Sequence, residues 1–169
     1  DVCSSDLSTL VRFIIEALGV EEDKVVYTAY TGKAVEVLRK KGNKNACTLH
    51  KLLYKSIPKP TGGFIRQIKP SIEYKIVVVD EVSMAPKTLI DLLFTHNVYV
   101  ICLGDPGQLP PIDKDEDNGL LAHPHVFLDE VMRQAKESEI IRLTMNIREG
   151  NSIDYNSKGK EALILPKTQ

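Results

Sequence analysis

The sequence predicts an α/β domain with a mainly parallel sheet flanked by helices, and three stretches carry that prediction. "KIVVVD" and "VYVICLGD" are apolar runs with no polar alternation, the pattern of parallel strands covered on both faces. "KVVYTA" is a β-branched run followed directly by "TGKAVEVLRKKG", a helical pattern that ends at Gly42. Strands alternating with helices in this way place ligands beyond the carboxyl ends of the strands.

The remaining elements follow in order. Leu10, Phe13, Ile14, Ala17 and Leu18 recur at helical spacing and stop at Gly19, which predicts an amphipathic helix over Ser8 to Leu18, starting at Leu7 or Ser8. "TLHKLLYK" suits a short helix capped by Thr48. "SIPKPTGGFIRQIKPSIEY" holds three prolines and two glycines and is expected to be a loop or a small hairpin insertion. Pro86 sits where helices tolerate proline, and Leu89, Ile90, Leu92 and Leu93 form a stripe for burial. Ile140, Ile141, Leu143, Thr144 and Ile147 share one face of a last predicted helix ending at Gly150, after which "NSIDYNSKGK" loses periodicity.

Composition bounds the partners. A chain of 169 residues allows one domain with a sizeable core. It is 43% hydrophobic and 27% charged, with no apolar run long enough to span a bilayer, so no membrane partner is expected. A formal charge of -1 gives no general attraction to nucleic acid, which leaves any such binding to a local patch. Cys3, Cys47 and Cys102 are odd in number and lack zinc spacing, which fits free thiols in a reducing, cytoplasmic setting. No basic segment precedes an apolar core at the start, so a secretory signal is not expected.

Two stretches carry chemistry. In "VVVDEVSM" a buried strand delivers Asp80 and Glu81 to the carboxyl edge, where one carboxylate can hold magnesium and its neighbour can polarise an attacking water. An acidic pair that merely opens a loop is the plain alternative. "CLGDPGQLPPID" ends the next strand at Asp105 and fixes a rigid turn through Pro106, Gly107, Pro110 and Pro111, holding Gln108 in one place. A neutral amide near a γ-phosphate senses it and orients water without adding charge. "TGKAV" is not a phosphate loop: it lacks the preceding glycines, and Ala34 offers no hydroxyl to a metal. Arg39, Lys40, Lys41 and Lys44 form a basic cluster better explained as a solvated face. His123 and His125 have no third ligand nearby in sequence, so a metal there is not expected.

Together the last two stretches resemble motifs II and III of superfamily 1 helicases of the RecD and phage Dda type. "YTAYTGKAVEVL" resembles the family's motif Ia, with Tyr30 in place of its usual proline, and "CTLHKLL" resembles the Thr-Ile-His segment after it. "LDEVMRQAKESEIIRLTMNIREG" is similar to motif IV. The likeness runs from about Ser8 to Gly150, in order and at plausible spacing. It implies a RecA-like P-loop NTPase fold using ATP and Mg2+, and a parent enzyme that couples ATP hydrolysis to movement on single-stranded DNA and duplex unwinding, typically 5′ to 3′. Glu81, Gln108 and Arg133 would then be catalytic, with Arg133 neutralising charge on the transferred phosphoryl group. Ser8, Thr9, Asp80, Asp105, Gln108 and Arg133 would contact the nucleotide, and Ser8 and Asp80 the metal. Thr31, Lys33, Thr48 and His50 would contact DNA phosphates by hydrogen bonds and charge, giving grip without base specificity. A second motor domain of the same parent is the implied partner, with replication or recombination proteins as further candidates, in a bacterial or phage-infected cell.

One half of that pattern is missing. Aligning the family's Gly-x-x-Gly-x-Gly-Lys-Ser/Thr loop to the helix it precedes puts Ser8 and Thr9 on the hydroxyl positions and Leu7 on the lysine. Residues 1–7 share nothing with the loop and resemble the translation of a synthetic sequencing adapter, so this segment is expected to be non-native and the chain as it stands inactive. Residues 8–150 are then the first motor domain, and 151–169 the start of a linker or second motor domain. Two alternatives stay open: another P-loop DNA-processing ATPase, terminase-like or nuclease-associated, that need not contain Gln108 or Arg133, and a non-catalytic DNA- or partner-binding module.

Overall fold

The computed structural model describes residues 2–111, 116–128, 146–147 and 150–151, and of residues 2–6 and 8 the backbone alone. The chain divides into two units, Asp1–Pro124 and His125–Gln169. In the first, β1 (Val25–Ala29), β2 (Cys47–Thr48), β5 (Ile76–Asp80) and β6 (Tyr99–Cys102) form a parallel sheet in the order β2-β1-β5-β6. The predicted class is the observed one. Around the sheet lie α1 (Val2–Ala17), α2 (Gly32–Lys40), α3 (Leu49–Leu53) and α4 (Lys87–Phe94).

Alternation along the strands sorts two cores. Val25, Tyr27 and Ala29 of β1, with Ile76 and Val78 of β5, pack with Val11 and Ile15 of α1 and Val35 and Leu38 of α2. Val26, Val77 and Val79 point to the other face, against Leu49, Leu52 and Leu53 of α3 and Leu89, Ile90 and Leu93 of α4. With both faces covered, consecutive valines are all buried, each stabilising by roughly 1.5–3 kcal/mol. The Thr28 hydroxyl, buried in this core, donates to the Val78 carbonyl at 2.9 Å, so the one polar side chain within β1's interior-facing run is satisfied.

Local chemistry sets the helix ends. Thr31 caps α2 by accepting from the Ala34 N–H at 3.2 Å, and Thr48 caps α3 by accepting from the Lys51 N–H at 3.2 Å. Gly42, at φ 98°, lets the chain leave α2, and Arg39 then closes the loop by donating twice to the Ala46 carbonyl, at 3.0 and 2.8 Å. Pro86 has no side chain to cap α4, and Glu116 supplies the acceptor for the Thr88 N–H at 3.1 Å. The proline-rich insertion is an antiparallel hairpin, β3 (Tyr54–Pro58) paired with β4 (Phe64–Ile68), turned through Gly62 and Gly63 at positive φ.

Two expectations about α1 change. The helix begins at Val2, not at Leu7 or Ser8, because residues 2–7 contain neither glycine nor proline to stop it. It buries Val11 and Ile15, while Leu10, Phe13, Ile14 and Leu18 are exposed. Apolar residues occupy so much of this helix's circumference that periodicity alone does not select the face. The last predicted helix lies mostly outside the described residues. Asn146 and Ile147 are helical there, and Gly150, at φ 71°, donates to the Ile147 carbonyl at 3.2 Å.

Leu93 is fully buried and its neighbour Phe94 is half exposed. Leu93→Ala should therefore lower unfolding free energy by about 2–5 kcal/mol, and Phe94→Ala by well under half as much, in denaturant titrations. Equal losses would contradict the placement of α4.

Candidate nucleotide and nucleic-acid site

Parallel register brings the chemistry-bearing residues to one edge. Ala29 pairs with Thr48 on one side and with Asp80 on the other, and Val79 pairs with Cys102. The segments that leave the sheet here are Tyr30–Thr31, Thr48–His50, Asp80–Glu81 and Gly104–Gln108. The expected site residues of these segments thus share the carboxyl edge of neighbouring strands.

Asp80 and Glu81 are held differently. The half-buried Asp80 carboxylate accepts from the Glu81 N–H at 3.0 Å. Burial pushes this carboxyl above the usual aspartate range, opposed by the Glu81 N–H and by the Lys41 charge. A cation beside it would offset that burial cost, and its hard oxygen donor suits magnesium. Glu81 is the only described non-glycine residue with positive φ, at φ 52° and ψ 46°. That left-handed conformation turns the chain sharply, so the Glu81 side chain departs from the sheet in a different direction from Asp80. The Val82 N–H donates to the Leu103 carbonyl at 2.9 Å, and the Leu103 N–H donates to Val79 at 2.8 Å, which ties this turn to the segment after β6.

That segment is built around Gly104 and Asp105. A Cβ on Gly104 would lie 3.0 Å from Leu121 Cδ1 and 3.1 Å from Val82 Cγ1, so the turn after Glu81 packs directly on its backbone. The Asp105 carboxylate accepts from the Gly107 N–H at 2.8 Å, and the Asp105 carbonyl accepts from the Gln108 N–H at 3.0 Å. Asp105 thereby shapes the turn that presents the exposed Gln108.

On the other side lie the residues expected to meet DNA. The Thr31 and Thr48 hydroxyls accept from cap N–H groups, which leaves their O–H bonds able to donate outward. Lys33 is exposed in the first turn of α2. His50 lies between Tyr30 and Tyr54, with ring centroids at 5.9 and 6.2 Å. Burial and then the Arg66 charge lower its pKa, which favours the neutral imidazole.

Other expectations fall elsewhere. Ser8 and Thr9 lie within α1, beyond its first turn, where backbone N–H groups are engaged along the helix. They are therefore not at a helix N-terminus that could receive phosphate. Arg133 lies outside the described residues. Cys47 and Cys102 are free thiols, and burial pushes Cys102 up to about 11 and raises Cys47, which makes both poor nucleophiles. Among the described residues no group of three or more His, Cys, Asp or Glu could by itself hold a metal. No described helix is long and apolar enough to cross a membrane.

The AAA domain family matches residues 7–162. The chain belongs to this family. An ATP-dependent RecD2 DNA helicase of Deinococcus radiodurans is 31% identical over 159 residues, covering 91% of this chain and 21% of the relative. An uncharacterised protein of Acanthamoeba polyphaga mimivirus is 33% identical over 152 residues, covering 72% of this chain and 30% of the relative. The chain thus spans about a fifth to a third of the length of these relatives. A double mutant of the Pif1 helicase from Bacteroides shares the fold, with a TM-score of 0.50 at 22% identity over 86% of this chain and 40% of that one. Over most of its length this AAA domain is similar to one part of the RecD2 DNA helicase.

Burial of Asp80 in the AAA domain has a measurable sign. With its pKa raised on folding, the folded state holds the proton more tightly, which favours folding at low pH and is lost as pH rises through the folded value. Asp80→Asn keeps an acceptor for the Glu81 N–H without the buried charge. It should raise Tm by a few degrees at pH 7, with the gain shrinking as pH falls towards the ordinary aspartate value of about 4. A Tm gain that does not change with pH would contradict the burial of the charge.

Proposed function

We propose that this chain is the first motor domain of an ATP-dependent helicase that translocates 5′ to 3′ on single-stranded DNA and unwinds duplex. The observation that carries the reading is the single edge on which Asp80, Glu81 and the Gln108 turn stand beside Thr31, Thr48 and His50. Nucleotide and strand then occupy adjacent parts of one rigid sheet, so a change at one is felt at the other.

Magnesium-bound ATP would supply the reactive phosphoryl group and a cation that neutralises its charge. Asp80 would hold the cation, directly or through water. Glu81 accepts the proton of the attacking water while the water oxygen bonds to the γ-phosphorus and ADP departs with the bridging oxygen. Gln108 orients that water. Arg133 is proposed to neutralise the transferred group, and closure against a second motor domain of the same parent would turn hydrolysis into a step. Thr31, Lys33 and Thr48 grip phosphates, and the Tyr30–His50–Tyr54 rings offer faces to bases. Residues 1–7 are proposed to be foreign to the domain. Ser8 and Thr9 would meet phosphate and metal where a glycine-rich loop ending in lysine replaces that segment. The setting would be the cytoplasm, with replication or recombination proteins as partners.

A second reading, a DNA-binding module without turnover, is favoured by the helical course of α1 upstream of Ser8. Glu81→Gln in the full-length parent with a glycine-rich loop before Ser8 separates the two. ATP binding should persist while DNA-stimulated phosphate release falls roughly 100-fold or more, the scale of a lost general base. Turnover within a few-fold of the parent would remove Glu81 as the base, and no DNA-stimulated turnover in the unsubstituted parent would favour the module.

Lys33→Ala should weaken single-stranded DNA binding equally across base sequences and reduce the salt slope by about one ion, as loss of one phosphate contact does. An unchanged slope in fluorescence-anisotropy titrations over a salt series would contradict the contact.

A further inference from the structure

Asn118 belongs to none of the motifs, yet its side chain makes three hydrogen bonds to backbone groups. Its Nδ2 donates to the Val82 carbonyl and to the Ala85 carbonyl, both at 2.8 Å, across 36 and 33 residues of sequence. Its Oδ1 accepts from the Leu120 N–H at 3.1 Å, and Gly119 follows at φ 68°. The two carbonyls bracket the 3-10 turn Val82–Met84, which begins directly after Glu81.

That turn has a specific burden. Glu81 stands in a left-handed conformation that side-chain-bearing residues rarely adopt, so its neighbours must over-determine it. On the chain's own side the Met84 N–H donates to Glu81 and the Ala85 N–H to Val82, at 3.2 and 3.0 Å. From other segments the Leu103 carbonyl accepts from the Val82 N–H at 2.9 Å, and Asn118 adds two more bonds. The segment that supplies them follows the Gln108 turn, and Gln108, Asn118 and Ser83 line one cleft of about 230 Å³. Glu116, two residues earlier, binds the start of α4, so the same segment is fastened at two points.

We propose that Asn118 is a positioning residue for Glu81, holding the turn that sets the Glu81 backbone and linking it to the Gln108 turn. The proposal rests on the reading of Glu81 as proton acceptor. Asn118 touches no reacting atom. Its amide fits the task because one NH2 group reaches two carbonyls at once, which aspartate, with no N–H, does not reproduce.

The test uses the full-length parent with a glycine-rich loop before Ser8. Asn118→Ala should lower kcat roughly 10- to 100-fold, the scale expected from misplacing a reacting group by about 1 Å, with KM for ATP and single-stranded DNA affinity within about twofold. Combined with Glu81→Gln, it should cause no further loss of the residual turnover, because the group it positions is already gone. Asn118→Ser, which keeps one donor, should show a smaller loss with the same split and serves if the alanine variant does not fold. Losses in kcat and DNA affinity together, or full additivity with Glu81→Gln, would overturn the proposal in favour of a structural role. If Glu81→Gln stops turnover and neither Asn118 variant lowers kcat, the positioning proposal alone falls. If Glu81→Gln leaves turnover intact, the base reading falls and takes this proposal with it.

Discussion

The parallel pairing of β1 with β5 is the constraint on which the rest depends. It sets Ala29 opposite Asp80, and from that register the Tyr30–Thr31 segment and the Asp80–Glu81 segment leave the sheet side by side. The register itself is fixed by burial. Both strands face helices on both sides, so a slip by one residue would exchange the residues meeting α1 and α2 with those meeting α3 and α4. Tyr27 would then be forced into a space filled by Val26, and Val77 and Val79 would leave their contacts with α4. The position of the chemistry follows from hydrophobic packing several residues away.

Charge at the edge is arranged against that apolar background. Asp80 is the last residue of a buried strand, and its carboxyl is pushed up because one side of it is still in the core. Binding a cation there offsets an existing cost, which is a more economical design than attracting a metal to an already solvated pair. Glu81 carries strain of a different kind, in its backbone, and the bonds from Leu103, Met84 and Asn118 around it explain why the strain persists. At the opposite end of the edge, burial and then the Arg66 charge lower the His50 pKa, and its ring lies beside those of Tyr30 and Tyr54.

Much of this was legible in the sequence. "KIVVVD" and "VYVICLGD" announce buried parallel strands because burial on both faces removes polar alternation, and the Thr48 cap follows from its place before a helical run. The Gln108 turn was legible from its prolines. The face of α1 was not, since Val11 and Ile15 are buried among so many other apolar residues that periodicity is ambiguous. The start of α1 at Leu7 or Ser8 rests on where the apolar periodicity begins, whereas residues 2–7 offer nothing to end the helix before Val2. Asn118 was missed because its partners lie more than thirty residues away, and a side-chain bond of that range leaves no periodic trace. The local trace of this clamp is the Asn118–Gly119 pair, a dipeptide that favours the left-handed turn seen at Gly119.

The central claim is that one sheet edge holds nucleotide at the Asp80 end and single-stranded DNA at the Thr48 end. A crystal structure of the full-length parent with magnesium, a non-hydrolysable ATP analogue and a single-stranded oligonucleotide tests it most directly. The account predicts the γ-phosphate group within reach of Glu81 and Gln108, the metal on Asp80 directly or through one water, and backbone phosphates at the Thr31 and Thr48 hydroxyls. Nucleotide bound away from Asp80 and Glu81, or a DNA path that avoids the Thr31–Thr48 end, would contradict it.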